Sequence, residues 1–161
     1  MSLVVRTILF TLLVPGSVAG LVPWLIATAP GPRIAWLLVG ERHLLGLLPM
    51  ALGVALYLAG AGRFVIEGRG TPAPIDPPRH LVVRGVYRWV RNPMYEAVVT
   101  VLLGEVLLSA SAWLAAYAAL VWLVFQLFVR LYEEPHLAAH FGESYRAYAA
   151  RVPRWVPRRS G

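Results

Sequence analysis

Runs of apolar residues long enough to cross a lipid bilayer constrain this chain more than any other feature. The first run extends from Thr7 to Ala29 without a charged side chain, and one helical crossing needs about 20 residues. A second run, from Leu44 to Ile66, contains a single charged residue, Arg63. Over the whole chain 58% of the side chains are hydrophobic and only 14% are charged, unlike an ordinary soluble domain. This pattern predicts an all-α integral membrane protein.

The first apolar run also carries a feature of secretory signal peptides. Ser17-Val18-Ala19 resembles a cleavage site that follows Arg6 and a short apolar region. The apolar run continues beyond that site, from Leu21 to Ala29, which favours a retained span over a cleaved leader.

Two further spans are predicted to form a C-terminal helical hairpin. Asn92 can cap a helix that begins with Pro93, and Ser109-Ala110-Ser111 indicates a tight reversal. Pro135 is expected to end the last span. The hairpin would bring the polar ends of both helices together on one side. The chain is predicted to be a single membrane domain, residues 1–161, of about four transmembrane helices at 7–29, 44–66, 93–108 and 112–134.

The arginines predict the orientation of this bundle. They are concentrated in the loop 67–92 and in the tail 135–161, whereas the loop between the first two spans has only Arg33 and Arg42. The positive-inside rule places both rich segments, and both termini, in the cytosol. The tail alternates apolar and charged residues, as an amphipathic helix on the membrane surface does. The arginine-only basic set and the abundant alanine favour a bacterial inner membrane.

Composition also excludes several kinds of chemistry. The chain has no cysteine, and all 15 of its basic residues are arginine, so a catalytic thiol, a thiolate metal site and a Schiff-base lysine are excluded. The net charge of +7 comes without a basic helix or zinc pattern, so we expect no nucleic acid partner. His136 and His140 could share a metal with Glu133, but further ligands are missing nearby, so no metal is expected.

The first group of candidate site residues lies on the last span. Its members fall at spacings of four, three and four that place them along one helical face; they are Gln126, Arg130, Glu133 and Glu134. In one interpretation Arg130 pairs with Glu134 and anchors the helix end at the membrane interface. In the other, the adjacent carboxylates receive a cationic or hydroxyl-bearing ligand, because two acids side by side otherwise repel each other.

The second group surrounds the start of the third span. A short interfacial helix is predicted with Arg84, Arg88 and Arg91 on one face and Val86, Trp89 and Val90 on the other. Attachment to anionic lipid would account for Arg84 and Arg88, but not for Tyr87, Arg91 and Tyr95 at four-residue steps, which could line a pocket. Glu96 lies in the first turn of that span and Glu105 deeper; acids within a span are functional candidates by default.

The order of several motifs resembles the isoprenylcysteine carboxyl methyltransferase family. The motifs are Gly85-Val86-Tyr87, Arg91-Asn92-Pro93-Met94-Tyr95, Glu133-Glu134, Phe141-Gly142-Glu143-Ser144-Tyr145-Arg146-Ala147-Tyr148 and Val152-Pro153-Arg154. The related phospholipid N-methyltransferases share a Gly-x-Gly element, matched here by Gly60-Ala61-Gly62, and the Glu-Glu element. The similarity covers about the last hundred residues, and the combined order is more specific than any single motif.

The resemblance implies S-adenosylmethionine as methyl donor, held at the cytosolic face, and a hydrophobic acceptor that enters from the bilayer. It implies that Tyr87, Arg91 and Tyr95 line the cofactor pocket, with Arg91 on the carboxylate, and that Glu133 and Glu134 take the ribose hydroxyls or the amino group. Asn92 replaces a histidine that is usual in the family. The remaining implied cofactor-binding residues are Gly60, Gly62 and His80. His80 approximates a histidine of the family, but its spacing is one residue shorter than the family's.

The implied reaction is an in-line displacement at the sulfonium methyl group, promoted by alignment and desolvation. The acceptor atom stays open between oxygen, nitrogen and sulfur: Arg130 could orient a carboxylate, whereas an amine or thiol would need a base such as Glu105 or Glu134. Two alternatives remain, a nicotinamide-dependent membrane reductase of the sterol reductase type and a non-enzymatic membrane bundle. Two carboxylates disfavour a phosphorylated dinucleotide.

Overall fold

The computed structural model describes residues 2–68 and 80–157. Within these ranges the chain is helical, and its only β-type pairing is an isolated bridge between Arg33 and Ser111. The described residues form seven α-helices: α1 (Leu3–Leu13), α2 (Val22–Thr28), α3 (Leu47–Arg63), α4 (Pro93–Ser109), α5 (Ala112–Phe128), α6 (Glu134–Phe141) and α7 (Glu143–Arg151). Short 3-10 or π-helical turns join several of them.

Among the described residues, three helical segments are long and apolar enough to cross a membrane. They run from Leu3 to Thr28, from Arg42 to Gly68 and from Ala112 to Phe141, with mean hydropathies of 1.9, 2.0 and 2.0. Large apolar side chains stay exposed along them, for example Leu12 at 65% and Leu131 at 74%, as expected where lipid surrounds the protein. The prediction of an all-α integral membrane protein is confirmed.

The first of these helices is broken near its centre. Pro15 lacks the backbone N–H that a regular helix would use, and Ser17–Leu21 forms a π-helical turn in which Ala19 has non-helical angles, φ −114° and ψ 23°. The chain then resumes as α2, which begins with Pro23 in its first turn. The predicted first span, residues 7–29, is therefore two helical pieces joined by a bend.

Glycine lets α3 and α4 pack backbone against backbone. A Cβ at Gly53 would lie 2.7 Å from the carbonyl oxygen of Ala97, and one at Gly104 would lie 2.6 Å from that of Gly46. Real Cβ atoms do not approach so closely, so these positions exclude larger residues, as at other membrane helix contacts. This pairing fixes where α4 begins, and α4 carries the residues of the site described below.

The predicted reversal between the last two long segments is confirmed. Ala110 adopts the left-handed conformation, φ 52°, and the side chain of Ser111 caps α5 by accepting a hydrogen bond from the Leu114 amide. Residues 32–34 are hydrogen-bonded to this turn, since Ile34 N–H donates to the carbonyl of Ala110 (2.7 Å). The core lies between α4 and α5 and consists of Val98, Leu102, Val106, Leu114, Ala118 and Val121.

The expectation that Pro135 ends the last span is wrong. The helix continues through Pro135 to Phe141, because a π-helical turn at Val129–Glu133 precedes α6 and Pro135 falls in the first turn of α6. Local π-helical adjustment is one way in which membrane helices tolerate proline. The helix therefore extends two turns beyond the predicted end and carries His136 and His140 with it.

Two other expectations need correction. The predicted interfacial helix is a single 3-10 turn, Gly85–Arg88; Val90 is buried while Trp89 is 51% exposed, so the two do not share an apolar face. The tail is not one surface helix either, because Gly142 separates α6 from α7 with φ 56° and ψ −127°, angles accessible chiefly to glycine. Residues 69–79 of the predicted loop 67–92 lie outside the described residues.

Candidate active site

A cavity of about 640 Å³ lies between the first helix, the start of α4, the α5–α6 helix and α7. This volume is within the range of small-molecule sites. The polar end is formed by Tyr87, Arg91, Asn92, Tyr95 and Glu133, and two further ionisable residues, His136 and His140, also line the cavity. The remainder is lined mainly by apolar and aromatic side chains, which include Phe10, Val14, Val18, Val98, Val124 and Phe125.

The polar ends of α4 and of the α5–α6 helix meet in this cavity, as the predicted hairpin requires. The hydroxyl of Tyr95 donates a hydrogen bond to Glu133 Oε2 at 2.6 Å. The Tyr95 ring packs edge-on against Phe125, with centroids 4.8 Å apart. Hydrogen bond and ring contact together fix the Glu133 carboxylate at the cavity wall.

The neighbouring carboxylate, Glu134, has different surroundings. Arg91 Nη1 lies 2.8 Å from Glu134 Oε1. Arg154 approaches the same carboxylate in a fork, with Nε 2.8 Å from Oε1 and Nη2 2.6 Å from Oε2. These hydrogen bonds raise the pKa of Arg154 above its ordinary value. Both oxygens of Glu134 are therefore engaged by arginine, and Glu134 is absent from the cavity lining.

The segment after α7 returns to the start of α4 and holds it through the backbone. The Arg91 amide donates to the carbonyl of Pro153 (2.9 Å), and Asn92 Nδ2 donates to the carbonyl of Arg154 (3.1 Å). The predicted side-chain cap by Asn92 is wrong, because its amide bonds Arg154 rather than the first turn of α4. Trp155 completes this attachment by donating to Gln126 Oε1 (2.7 Å) and stacking edge-on against Trp122.

Three tyrosines close the cavity on the side of α7. The Tyr148 hydroxyl donates to the backbone carbonyl of Tyr87 at 2.6 Å. Burial raises the pKa of Tyr87, of Tyr145 and of Tyr148, and Arg91 offsets part of the rise for Tyr145. All three phenols are therefore neutral at physiological pH and act as hydrogen-bonding groups rather than as anions.

Two buried polar atoms at the polar end have no hydrogen-bond partner among the described residues, namely Tyr87 Oη and Arg91 Nε. A buried donor without a partner costs about 1 to 3 kcal/mol. Such atoms are where a bound polar ligand would contribute most. Both atoms can donate a hydrogen bond, so a ligand that offers acceptor oxygens fits them.

Comparison with known proteins assigns the chain to a family. The family model for phospholipid methyltransferase matches residues 41–144. The chain belongs to the phospholipid methyltransferase family. This match includes α3, α4, α5 and α6, and therefore most of the cavity wall, whereas α1, α2 and the segment after Ser144 lie outside it.

Two curated relatives of this family member are themselves methyltransferases. Over 78 residues, 48% of the chain, it is 38% identical to protein-S-isoprenylcysteine O-methyltransferase B of Arabidopsis thaliana. Over 116 residues, 70% of the chain, it is 36% identical to phosphatidylethanolamine N-methyltransferase of Schizosaccharomyces pombe. The matches span 39% and 13% of the relatives' own lengths. No solved structure matches the chain.

The structure separates the predicted site residues of this family member into two sets. Tyr87, Arg91, Asn92, Tyr95 and Glu133 line the cavity. The other predicted residues lie outside the lining. Gly60 packs beside Met94 and Tyr87, whereas an added Cβ at Gly62 would face open space. His80 and Arg130 are exposed, and Glu105 lies twelve positions beyond the start of α4. Among the described residues Arg130 forms no ion pair with Glu134, whose carboxylate contacts Arg91 and Arg154 instead.

Sequence reasoning gave no specific role to several cavity residues. Tyr148 lines the cavity and Arg154 lies behind it, and both belong to the tail motifs without a local pattern that indicates a role. Tyr57, Phe10 and Val14 belong to no motif. Only contacts between segments far apart in the chain, such as the Arg154–Glu134 pair, identify their positions. Within the described residues no cluster of histidine and acidic side chains could hold a metal ion.

Proposed function

We propose that this protein is an S-adenosylmethionine-dependent methyltransferase whose acceptor is membrane-embedded or otherwise hydrophobic. Membership of the phospholipid methyltransferase family supports a methyl transfer. The observation that carries the proposal is the two-part cavity. Tyr87 and Arg91 each bring a buried polar atom without a partner among the described residues, and most of the remaining wall is apolar or aromatic.

In this proposal the polar end holds the cofactor. The guanidinium of Arg91 faces the carboxylate of the cofactor, and Tyr87 Oη supplies a further hydrogen bond. Glu133, fixed by Tyr95, receives the ribose hydroxyls or the amino group. Glu134 and Asn92 act as positioning residues, since Glu134 pairs with Arg91 and Asn92 bonds the backbone of the segment that covers it.

When bound, S-adenosylmethionine supplies a methyl group activated by the positive charge on its sulfur. The protein contributes alignment and a site without bulk water. Phe125 and Val124 provide an apolar surface beside Tyr95 and Glu133, so an acceptor entering there loses its hydration shell before it meets the polar end. Alignment of two reactants in this way can lower a barrier by several kcal/mol, up to about 10 kcal/mol.

The same proposal includes the orientation in the membrane. α4 has 17 residues, at the lower limit of about 17 for a transmembrane helix, and we count it as a fourth span. Both termini and the polar end of the cavity then face the arginine-rich, cytosolic side.

Calorimetric binding of S-adenosylmethionine to the detergent-solubilised protein tests the proposal. We expect saturable binding, with Glu133→Gln weakening it at least about tenfold because a charge-assisted hydrogen bond contributes roughly 1.5 to 3 kcal/mol. Glu143→Gln is the matched control, since the Glu143 side chain is 85% exposed. Reduced nicotinamide cofactor serves as the comparison ligand. Absence of S-adenosylmethionine binding to folded protein would remove the proposed function.

A further inference from the structure

The short segment between α2 and α3 exposes apolar side chains although it does not cross the membrane. Residues 34–39 read Ile-Ala-Trp-Leu-Leu-Val, without a charged residue, and Ala35–Leu38 forms a 3-10 turn. Leu37 is buried, whereas Trp36, Leu38 and Val39 are 61%, 53% and 56% exposed. An exposed group of large apolar side chains indicates a surface that contacts another protein or a membrane.

Both ends of this segment are attached to the same end of the bundle. On the N-terminal side, the hydrogen bond from Ile34 to Ala110 connects it to the reversal between α4 and α5. On the C-terminal side, Gly46 packs against the backbone of Gly104. Gly104 lies five residues before the end of α4, which corresponds to about 7.5 Å at 1.5 Å per residue. Both ends of the segment therefore lie at the level of the last turns of α4.

Exposed tryptophan side chains lie near this level on the neighbouring helices. Trp24 lies four residues before the end of α2 and is 61% exposed, and Trp113 lies in the first turn of α5 and is 57% exposed. The Trp113 ring lies against the turn that precedes the segment, since a Cβ at Gly31 would collide with it. Tryptophan is enriched where a membrane meets water, because its ring is apolar and its N–H is polar. Together with Trp36, these residues indicate a membrane interface at this end of the bundle.

Polar groups beside the segment limit how deeply it enters the membrane. Gly40 turns the chain with φ 61°, and the charged residues Glu41 and Arg42 follow. The side chain of Glu41 is 81% exposed. A single 3-10 turn satisfies few backbone groups by itself, and unsatisfied groups are excluded from hydrocarbon. The segment therefore fits the headgroup region, where apolar side chains reach the acyl chains while charges and backbone groups stay hydrated.

We infer that residues 35–39 form an interfacial anchor, whose exposed side chains insert among the lipids of the leaflet at this end of the bundle. The anchor is continuous with surface that faces lipid, since Leu47 and Leu48 at the start of α3 are 53% and 65% exposed. This continuity identifies the partner as a lipid surface rather than a second protein. The anchor is independent of the proposed methyl transfer, whose polar residues lie near the other end of α4.

Spin labelling in lipid nanodiscs tests the anchor, because this sequence contains no cysteine that would compete for the label. Trp36→Cys and Leu38→Cys carry the label within the anchor, and Glu41→Cys, on the adjacent polar turn, is the matched control. We expect labels in the anchor to collide several-fold more often with oxygen, which partitions into lipid, than with a water-soluble nickel chelate. The order should reverse for the control. Val39→Cys replaces an anchor variant that does not fold.

The reference for contact with acyl chains is a label at Leu12→Cys, at a residue 65% exposed on the first span. Chelate collisions as frequent at Trp36 and Leu38 as at Glu41 would refute the anchor. Labels shielded only in native membranes, or only in nanodiscs that hold two copies of the chain, would identify a protein partner or a second copy and would also overturn the inference. Lipid contact in protein that does not bind S-adenosylmethionine would support the anchor and refute only the proposed function.

Discussion

Glu133 and Glu134 are adjacent in the sequence but have opposite surroundings. The π-helical turn Val129–Glu133 ends between them, so Glu133 faces the cavity and Glu134 faces the returning C-terminal segment. Glu133 has one hydrogen bond, from Tyr95, whereas Glu134 is held by Arg91 and Arg154. Substitution of the two carboxylates should therefore have different effects.

Glu134→Gln is expected to lower stability. The variant removes the charge that Arg91 and Arg154 share, and these side chains are only 14% and 30% exposed. We expect a loss of about 2 kcal/mol in the free energy of unfolding, since hydrogen bonds to charged groups contribute roughly 1.5 to 3 kcal/mol. Thermal unfolding in detergent measures it. The exposed pair Glu143–Arg146 provides the control, as Glu143→Gln should change stability by less than about 1 kcal/mol. Equal effects of the two variants would contradict this account.

Tyr148→Phe tests the contact between α7 and the loop before α4. The variant leaves the buried carbonyl of Tyr87 without its 2.6 Å partner, which should cost about 1 to 3 kcal/mol. Since burial raises the pKa of Tyr148, the unfolded chain releases its phenol proton first above about pH 10. The wild type should therefore lose stability in alkali, and the variant should lose less. Tyr132→Phe, at a residue 45% exposed, is the control; a similar loss there would refute the assignment.

At the scale of elements, one glycine directs α7 back to the site. Gly142 links α6 to α7 with φ 56° and ψ −127°. Without this turn the helix would continue away from the cavity, and Tyr145 and Tyr148 would not reach Arg91 and Tyr87. Because of this turn, α7 packs against the site instead of extending the preceding helix.

Gly142→Ala is expected to destabilise the docked position of α7. A side chain in this backbone region costs on the order of 1 to 3 kcal/mol, and displacement of Tyr148 should also weaken cofactor binding. Thermal unfolding and calorimetry measure the two effects. Gly62→Ala, at a helical position with nothing within 4 Å of the added Cβ, controls for the loss of a glycine and should not lower stability. Unchanged unfolding of Gly142→Ala would show that the turn is not required.

The elements themselves were largely predictable from the sequence, because apolar runs of bilayer length have few alternatives. The reversal at Ser109–Ser111 and the start at Pro93 followed from local signals. The continuation of the helix through Pro135 was not predictable, because no local sequence pattern marks the π-helical turn Val129–Glu133 that precedes it. The prediction of an interfacial helix was also wrong. Gly85 has φ 60°, and a residue in this left-handed conformation interrupts a regular helix.

The whole molecule is predicted to have both termini on one side of the membrane. Three spans would place the termini on opposite sides, and only the crossing of α4 brings them together. A C-terminal green fluorescent protein fusion should fluoresce in the cytosol, and a fusion of alkaline phosphatase after Gly40 should be active on the opposite side. Active alkaline phosphatase at the C-terminus would contradict the four-span arrangement.

At this scale the sequence predicted part of the candidate site. Tyr87, Arg91 and Tyr95 line the cavity together with Glu133, as their spacing and the hairpin indicated. The contribution of the first helix could not be predicted, since Phe10 and Val14 are indistinguishable in sequence from lipid-facing neighbours. The role of Arg154 depends on a contact with Glu134 across 20 positions, which no local pattern encodes.

The attachment of the C-terminal segment brings two indole rings together, with the centroids of Trp122 and Trp155 4.7 Å apart and their planes at 60°. At such a separation the electronic transitions of the two rings couple. Near-ultraviolet circular dichroism should then contain a signal that exists only while residues 153–155 are docked on α5. The protein thus carries an intrinsic optical reporter of the contact between its C-terminal segment and α5, readable without an attached dye.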